Sequence, residues 1–188
     1  MRASVSQFVV LVAVAAFSTA AFAHDCGSGA LAAQATELLS IPGARIPMTG
    51  VLSGGQPTPE QIEAAADAGF RTVINLRIDA EKGFEWEAEA VESLEMKYVS
   101  IPVAGAKGLT RETVERLDGA LAEAAATGPV LLHCASGNRI GAILALRAAW
   151  LHGADAEAAL RLGLANGMTR LEPTIRELLG LESVVSGR

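Results

Sequence analysis

Val130-Leu131-Leu132-His133 is an uninterrupted, mostly apolar run, bounded before by Gly128-Pro129 and after by the polar turn Cys134-Ala135-Ser136-Gly137-Asn138-Arg139. Ile140-Gly141-Ala142-Ile143-Leu144-Ala145-Leu146 then continues with helical composition. A run that short and that apolar suits a strand buried on both faces. A buried strand that turns tightly into a helix is the building step of a parallel, helix-covered sheet, and the turn stands beyond the strand's carboxyl end. Such a turn aims several main-chain N–H groups and the helix N-terminus at one small volume, which makes an anion site. The same positive field favours a thiolate over a thiol at Cys134. Arg139 adds a planar fork suited to a tetrahedral oxyanion. Ala135, Ser136, Gly137, Asn138 and Ile140 complete the expected anion-binding set, chiefly through their amides.

The rest of the chain repeats strand and helix in alternation. Thr58-Pro59-Glu60-Gln61 reads as a helix start, with a threonine cap, proline in the first turn and a glutamine placed to reach back. That helix stops at Gly69, and residues 70–76 read as a buried strand. Phe84, Ala88, Val91 and Leu94 mark one face of a further helix. Residues 97–101 form the next strand, stopped by Pro102. Thr110 caps a helix to about Ala126 with Val114, Leu117 and Leu121 inward. Asp155 caps another, and a last helix begins near Glu172-Pro173. The expected fold is α/β and three-layered, with a mostly parallel central sheet of about four to five strands flanked by helices. Three loops, 77–83, 103–109 and 134–139, converge at the carboxyl ends of its strands.

Ser53-Gly54-Gly55-Gln56-Pro57-Thr58-Pro59-Glu60, Thr72-Val73-Ile74-Asn75-Leu76-Arg77, Tyr98-Val99-Ser100-Ile101-Pro102-Val103 and His133-Cys134 follow one another in an order that resembles the dual-specificity-type cysteine phosphatases. The series is more closely similar to the bacterial phosphatase-like domain named for its fusion to β-lactamase-like hydrolases, and it covers roughly residues 50–180. The resemblance implies that family's fold and a cysteine-phosphate intermediate, with Cys134 as nucleophile and Arg139 as phosphate clamp. Three features depart from the pattern. Four residues separate Cys134 from Arg139, one fewer than in the phosphatase signature. Ile140 stands where a serine or threonine usually follows the arginine, and Ala104-Gly105 replace an expected aspartate. The shorter loop is also similar to the persulfide loop of rhodanese-type sulfurtransferases. A sulfurtransferase carrying a persulfide on Cys134, and a catalytically inactive anion-binding module, therefore stand as alternatives to the phosphatase.

Phosphoester cleavage calls for a proton donor, worth about 10²–10⁴ in rate. Asp79 is the expected one, ahead of Glu81 and Glu85 on the loop leaving the Asn75-Leu76 strand. Arg77 is expected to add positive charge to the pocket, or else to pair with Asp79 or Glu81. Lys107 is a lesser candidate, and His133 reads as a core histidine bonded to backbone that braces the loop. No metal-ligand spacing and no glycine-rich nucleotide fingerprint occurs, so no cofactor is expected.

Arg2 followed by the apolar stretch from Phe8 to Ala23, ending Ala21-Phe22-Ala23, has the composition of a cleavable secretory signal and is shorter than a membrane span. The expected organisation is a signal at 1–23, a loosely ordered tail at 24–44, a phosphatase-like domain at 45–182 and a C-terminal tail at 183–188. A periplasmic or secreted location follows, with no stable membrane association once the signal is gone. Export also places Cys26 and Cys134 where a disulfide between them is conceivable. The whole sequence carries 15 Lys and Arg against 21 Asp and Glu, a formal charge of −6, and loss of Arg2 would leave −7. That balance disfavours nucleic acid as a partner. The expected partner is a small anionic substrate or a phosphoprotein, bound by a locally positive site on an acidic protein. The sequence is silent on oligomeric state.

Overall fold

A computed structural model of the chain describes residues 39–182. The signal expected at 1–23, Cys26 and the tail at 183–188 lie outside the described residues. One sheet of five strands has the order β1-β2-β5-β3-β4, formed by β1 (Arg45–Met48), β2 (Val51–Gly54), β3 (Thr72–Asn75), β4 (Lys97–Ser100) and β5 (Val130–His133). Only β1 runs antiparallel, as the edge partner of β2; the other contacts are parallel. Among the described residues six full α-helices accompany it: α1 (Pro59–Asp67), α2 (Glu87–Ser93), α3 (Arg111–Ala125), α4 (Asn138–His152), α5 (Ala156–Ala165) and α6 (Glu172–Leu178). This is the α/β, mostly parallel, helix-flanked architecture that the alternation predicts.

The three central strands β2, β5 and β3 are buried on both faces, and their period of two sorts the core into two layers. Leu52, Val73 and Leu131 point to one side, where they meet Ile62, Ala65, Phe70 and Val91 from α1, α2 and their flanks. Val51, Ile74, Val130 and Leu132 point to the other, against Val114 and Leu117 of α3 and Ile140, Ile143 and Leu144 of α4. Leu39 and Ile41, within the span read as a tail, are buried in the first layer. Gln61 holds that segment by donating to the Leu39 carbonyl at 2.8 Å.

The expected caps are formed. Thr58 and Gln61 bond reciprocally at the start of α1, Thr110 accepts from the Thr113 amide, and Asp155 accepts from the Ala158 amide. α4 lies deepest, with every residue from Ile140 to Leu146 buried. Its approach to α5 depends on Gly141, where a Cβ would collide with the Gly163 carbonyl and the Met168 amide. Among the described residues no helix is long and apolar enough to cross a membrane.

Candidate active site

β5 ends at His133 and delivers Cys134 to the carboxyl edge of the sheet, where the thiol is free and the residue only 1% exposed. The next residues are fixed from the β2 side. The Cys134 amide donates to the Gly54 carbonyl at 3.3 Å, the Gln56 amide donates to the Ala135 carbonyl at 3.4 Å, and Gly55 bridges to Ser136. A Cβ at Gly55 would lie 3.2 Å from the Ala135 oxygen, so this close approach favours glycine. The turn into α4 is made at Gly137, whose φ of 87° lies in the left-handed region. That conformation turns the Gly137 N–H onto the Cys134 Sγ at 3.1 Å. Glycine at this position therefore orients a main-chain donor toward the sulfur at the foot of a helix.

Arg139, in the first turn of α4, reaches back across the mouth of the loop. Its guanidinium forks onto Glu81, with Nη1 to Oε1 at 2.5 Å and Nη2 to Oε2 at 2.8 Å. Nη1 also donates to the carbonyls of Val103 at 3.2 Å and Leu76 at 3.3 Å. Burial opposes the charge, but the Glu81 carboxylate and the neighbouring Cys134 outweigh it and raise the Arg139 pKa. The hydrogen bond from Arg139 is the largest influence on Glu81, followed by opposing desolvation, and the net effect holds its carboxyl at about 2.

The sign of that shift sets a pH window. A carboxyl held at about 2 against its ordinary 4.5 stabilises the fold fully above pH 4.5 and loses that contribution as pH falls from 4.5 toward 2. Solvent screening of this partly exposed pair reduces the contribution to about 1 kcal/mol. Glu81→Gln is therefore expected to lower the urea midpoint at pH 7 and to flatten the loss of stability between pH 4.5 and 2.5. A variant with wild-type stability at both ends of that range would show that the pair contributes nothing net.

Arg77 lies elsewhere than expected from its position after β3. It is 8% exposed and engaged on all sides: Nη1 donates to Gln56 Oε1 at 2.7 Å, Nη2 to the Lys82 carbonyl at 2.9 Å and Nε to Glu81 at 3.2 Å. Its guanidinium stacks 4.5 Å above the Phe84 ring. The structure thus realises the pairing of Arg77 with Glu81, and Arg77 is not among the residues lining the cleft. Asp79 is exposed in the turn before Glu81 and also lies outside that lining. Lys107 is exposed on the 3-10 turn Gly105–Gly108. Asp118 pairs with Arg147 and His152 on the α3–α4 face.

Behind the loop, a buried carboxylate collects several groups. Glu87, fully buried, accepts from Gln56 Nε2 at 2.8 Å, Asn75 Nδ2 at 2.9 Å and the Tyr98 hydroxyl at 3.1 Å. Burial first, then the Glu87 charge, push the Tyr98 hydroxyl up to about 12, against the opposing Asn75 hydrogen bond. His133 Nε2 lies 3.1 Å from Glu87 Oε1. That approach is misaligned for a hydrogen bond, and neither ring nitrogen has another partner among the described residues. His133 is a core histidine as expected, but it faces a carboxylate rather than a backbone group. The sequence carried one signal for Glu87: it stands four residues before inward-facing Val91.

Together these elements frame a cleft of about 440 Å³, lined by Ala135, Ser136, Asn138, Arg139, Glu81 and Arg170 with an apolar wall of Ile78, Val103 and Leu171. Four residues of the expected anion-binding set thus line one cavity. Gly137 supplies its amide to Cys134, and Ile140 is buried in the hydrophobic core. Asn138 turns its side chain away from the loop, its Oδ1 accepting from the amides of Thr169 and Leu171 and from the Thr169 hydroxyl. Arg170 has no counterpart in the sequence reading. Among the described residues no His, Cys, Asp and Glu cluster could hold a metal ion.

The sequence pattern of the family described as "DSP-PTPase phosphatase fused to NAD+ Kinase" matches residues 46–173. The Beta-lactamase hydrolase-like protein of Xylella fastidiosa is 33% identical over 96 residues, 49% of this chain. The chain spans only 22% of that relative's length. Two crystal structures of a DUF442 protein from Shewanella putrefaciens CN-32 superpose with TM-scores of 0.61 and 0.60 at 24% and 26% identity. They cover 78% and 77% of this chain and 93% and 91% of their own. The nma1982 protein of Neisseria meningitidis has the same fold, with a TM-score of 0.55 at 21% identity over 68% of this chain and 92% of its own.

Proposed function

The chain belongs to the DSP-PTPase family of cysteine-dependent phosphatases, and from that premise we propose that it cleaves a phosphomonoester through a phosphocysteine on Cys134. The observation that carries the reading is the Gly137 N–H directed at Cys134 Sγ from the N-cap of α4, with Arg139 beside the same sulfur. An amide donor at the attacking sulfur and a guanidinium beside it are placed to offset the charge that develops on the transferring phosphoryl group. In the first step sulfur attacks phosphorus, the P–S bond forms and the P–O bond to the leaving group breaks. In the second, water attacks phosphorus, phosphate leaves and the thiolate is regenerated.

The leaving oxygen needs a proton unless it departs readily as an anion. Glu81 lies in the cleft but is ionised and held by Arg139, so it is a poor acid. Asp79, exposed on the same turn, is our candidate donor. Aryl phosphates are poor reporters of that role and alkyl phosphates good ones. We further propose that the enzyme is exported, on the strength of the N-terminal segment's composition.

The test is phosphate release from an aryl and an alkyl phosphate by the mature protein, with orthovanadate as inhibitor. Turnover of the aryl ester blocked by vanadate is expected. Asp79→Asn should lose rate mainly on the alkyl ester, by about tenfold or more. A second reading, sulfur transfer, draws on the four-residue spacing between Cys134 and Arg139. A protein that releases no phosphate but gains about 32 Da on Cys134 from thiosulfate would move the assignment there.

A further inference from the structure

The cleft holds two guanidinium-bearing residues in different states of engagement. Arg139 is committed, with both terminal nitrogens on Glu81 and one of them also on two main-chain carbonyls. Arg170 lines the same cleft, is exposed, and has no hydrogen bond or ion pair among the described residues. Its main chain is nonetheless anchored. Asn138 Oδ1 accepts from the Thr169 amide at 2.8 Å, the Thr169 hydroxyl at 3.2 Å and the Leu171 amide at 3.3 Å. Leu171 is itself 8% exposed against the core. A residue of the cysteine loop thus fixes the backbone on both sides of Arg170, while leaving its side chain unpartnered.

The charges in the cleft sharpen the point. Glu81 offsets Arg139, so Arg170 supplies the positive charge that no carboxylate among the described residues matches. In a protein of net charge −6 such a cation stands against the general field. Holding its backbone in place removes part of the ordering cost that a flexible arginine would incur on binding. A guanidinium left open in this way recognises a second anionic group by a forked hydrogen bond.

We propose that Arg170 is a specificity-determining residue that binds a second anionic group of the substrate, so that the preferred substrate is a small phosphomonoester carrying a further phosphate or carboxylate. This inference rests on the phosphatase reading above. A cleft of about 440 Å³ that contains both arginines suits one small molecule, with the two anionic groups a few bonds apart.

The experiment compares kcat/KM for phenyl phosphate with that for the same ring bearing a second phosphate at the meta position, in wild type, Arg170→Gln and Arg170→Lys. Wild type should favour the bisphosphate by about tenfold, the scale of one partly exposed charge-assisted contact. Arg170→Gln should erase most of that ratio, and Arg170→Lys should keep part of it. Equal loss on both esters would place Arg170 on the reacting phosphate and overturn the proposal. An unchanged ratio in Arg170→Gln would overturn it as well. A preference confined to phosphopeptides with acidic neighbours would exclude the small-molecule assignment. If wild type turns over neither ester, it is the phosphatase reading that fails, and the two failures are thereby distinguished.

Discussion

Cys134→Ser is expected to lower kcat/KM for an aryl phosphate by at least about 10³-fold while leaving the fold intact. Serine matches cysteine in shape and fits at a residue only 1% exposed, so the change removes a nucleophile without opening a cavity. The Gly137 N–H that points at Sγ from 3.1 Å would point at the serine oxygen instead. It can assist a sulfur anion but cannot make a hydroxyl ionise at neutral pH. Oxyanion binding should survive, because the loop amides and Arg139 remain. Steady-state kinetics with a vanadate titration and a thermal melt read the three outcomes separately. Activity within tenfold of wild type would show that the sulfur is not the attacking atom.

Arg139→Lys should reduce kcat/KM by about 10²–10³-fold, the usual cost of losing one preorganised oxyanion donor. Charge alone does not replace this residue, because four hydrogen bonds from its two terminal nitrogens reach Glu81, Leu76 and Val103. Lysine has no fork with which to span them. The substitution also leaves Glu81 with Arg77 as its remaining arginine partner. Some of the measured loss could therefore reflect a displaced loop, and Glu81→Gln is the control. If Arg139→Lys loses far more activity than Glu81→Gln at equal stability, the guanidinium acts on the substrate. Equal losses would reduce Arg139 to a brace for the 77–86 loop.

Much of the architecture was legible because it rests on local chemistry. The buried strand 130–133, the capped helix starts at Thr58, Thr110 and Asp155, and the loop from Cys134 to Arg139 are all written in a few adjacent residues. β1 was not legible: it is a four-residue edge strand with a proline, and its burial alternates poorly. The helix expected around Phe84 begins only at Glu87, and its inward face carries a carboxylate as well as Val91. Periodicity reports apolar faces and has no signal for a buried charge satisfied by distant donors such as Gln56 and Tyr98.

The site divides along the same line. The loop residues are contiguous, so their convergence follows from one turn. Glu81 and Arg139 are 58 residues apart, and Asn138 holds a turn 31 residues away. Only tertiary packing makes Glu81 the clamp of Arg139 and brings Arg170 to the cleft. Arg77 shows the converse. Its place after β3 suggested a pocket cation, but an adjacent glutamine, glutamate, carbonyl and phenyl ring take up its charge and its plane.

The central claim is a covalent phosphate on one sulfur, and peptide mapping of acid-quenched enzyme after brief mixing with an aryl phosphate tests it directly. The account predicts an added mass of about 80 Da on the peptide containing Cys134, formed within one turnover and absent from Cys134→Ser. Turnover of the ester with no such adduct at any quench time, or with the adduct on another residue, would contradict it.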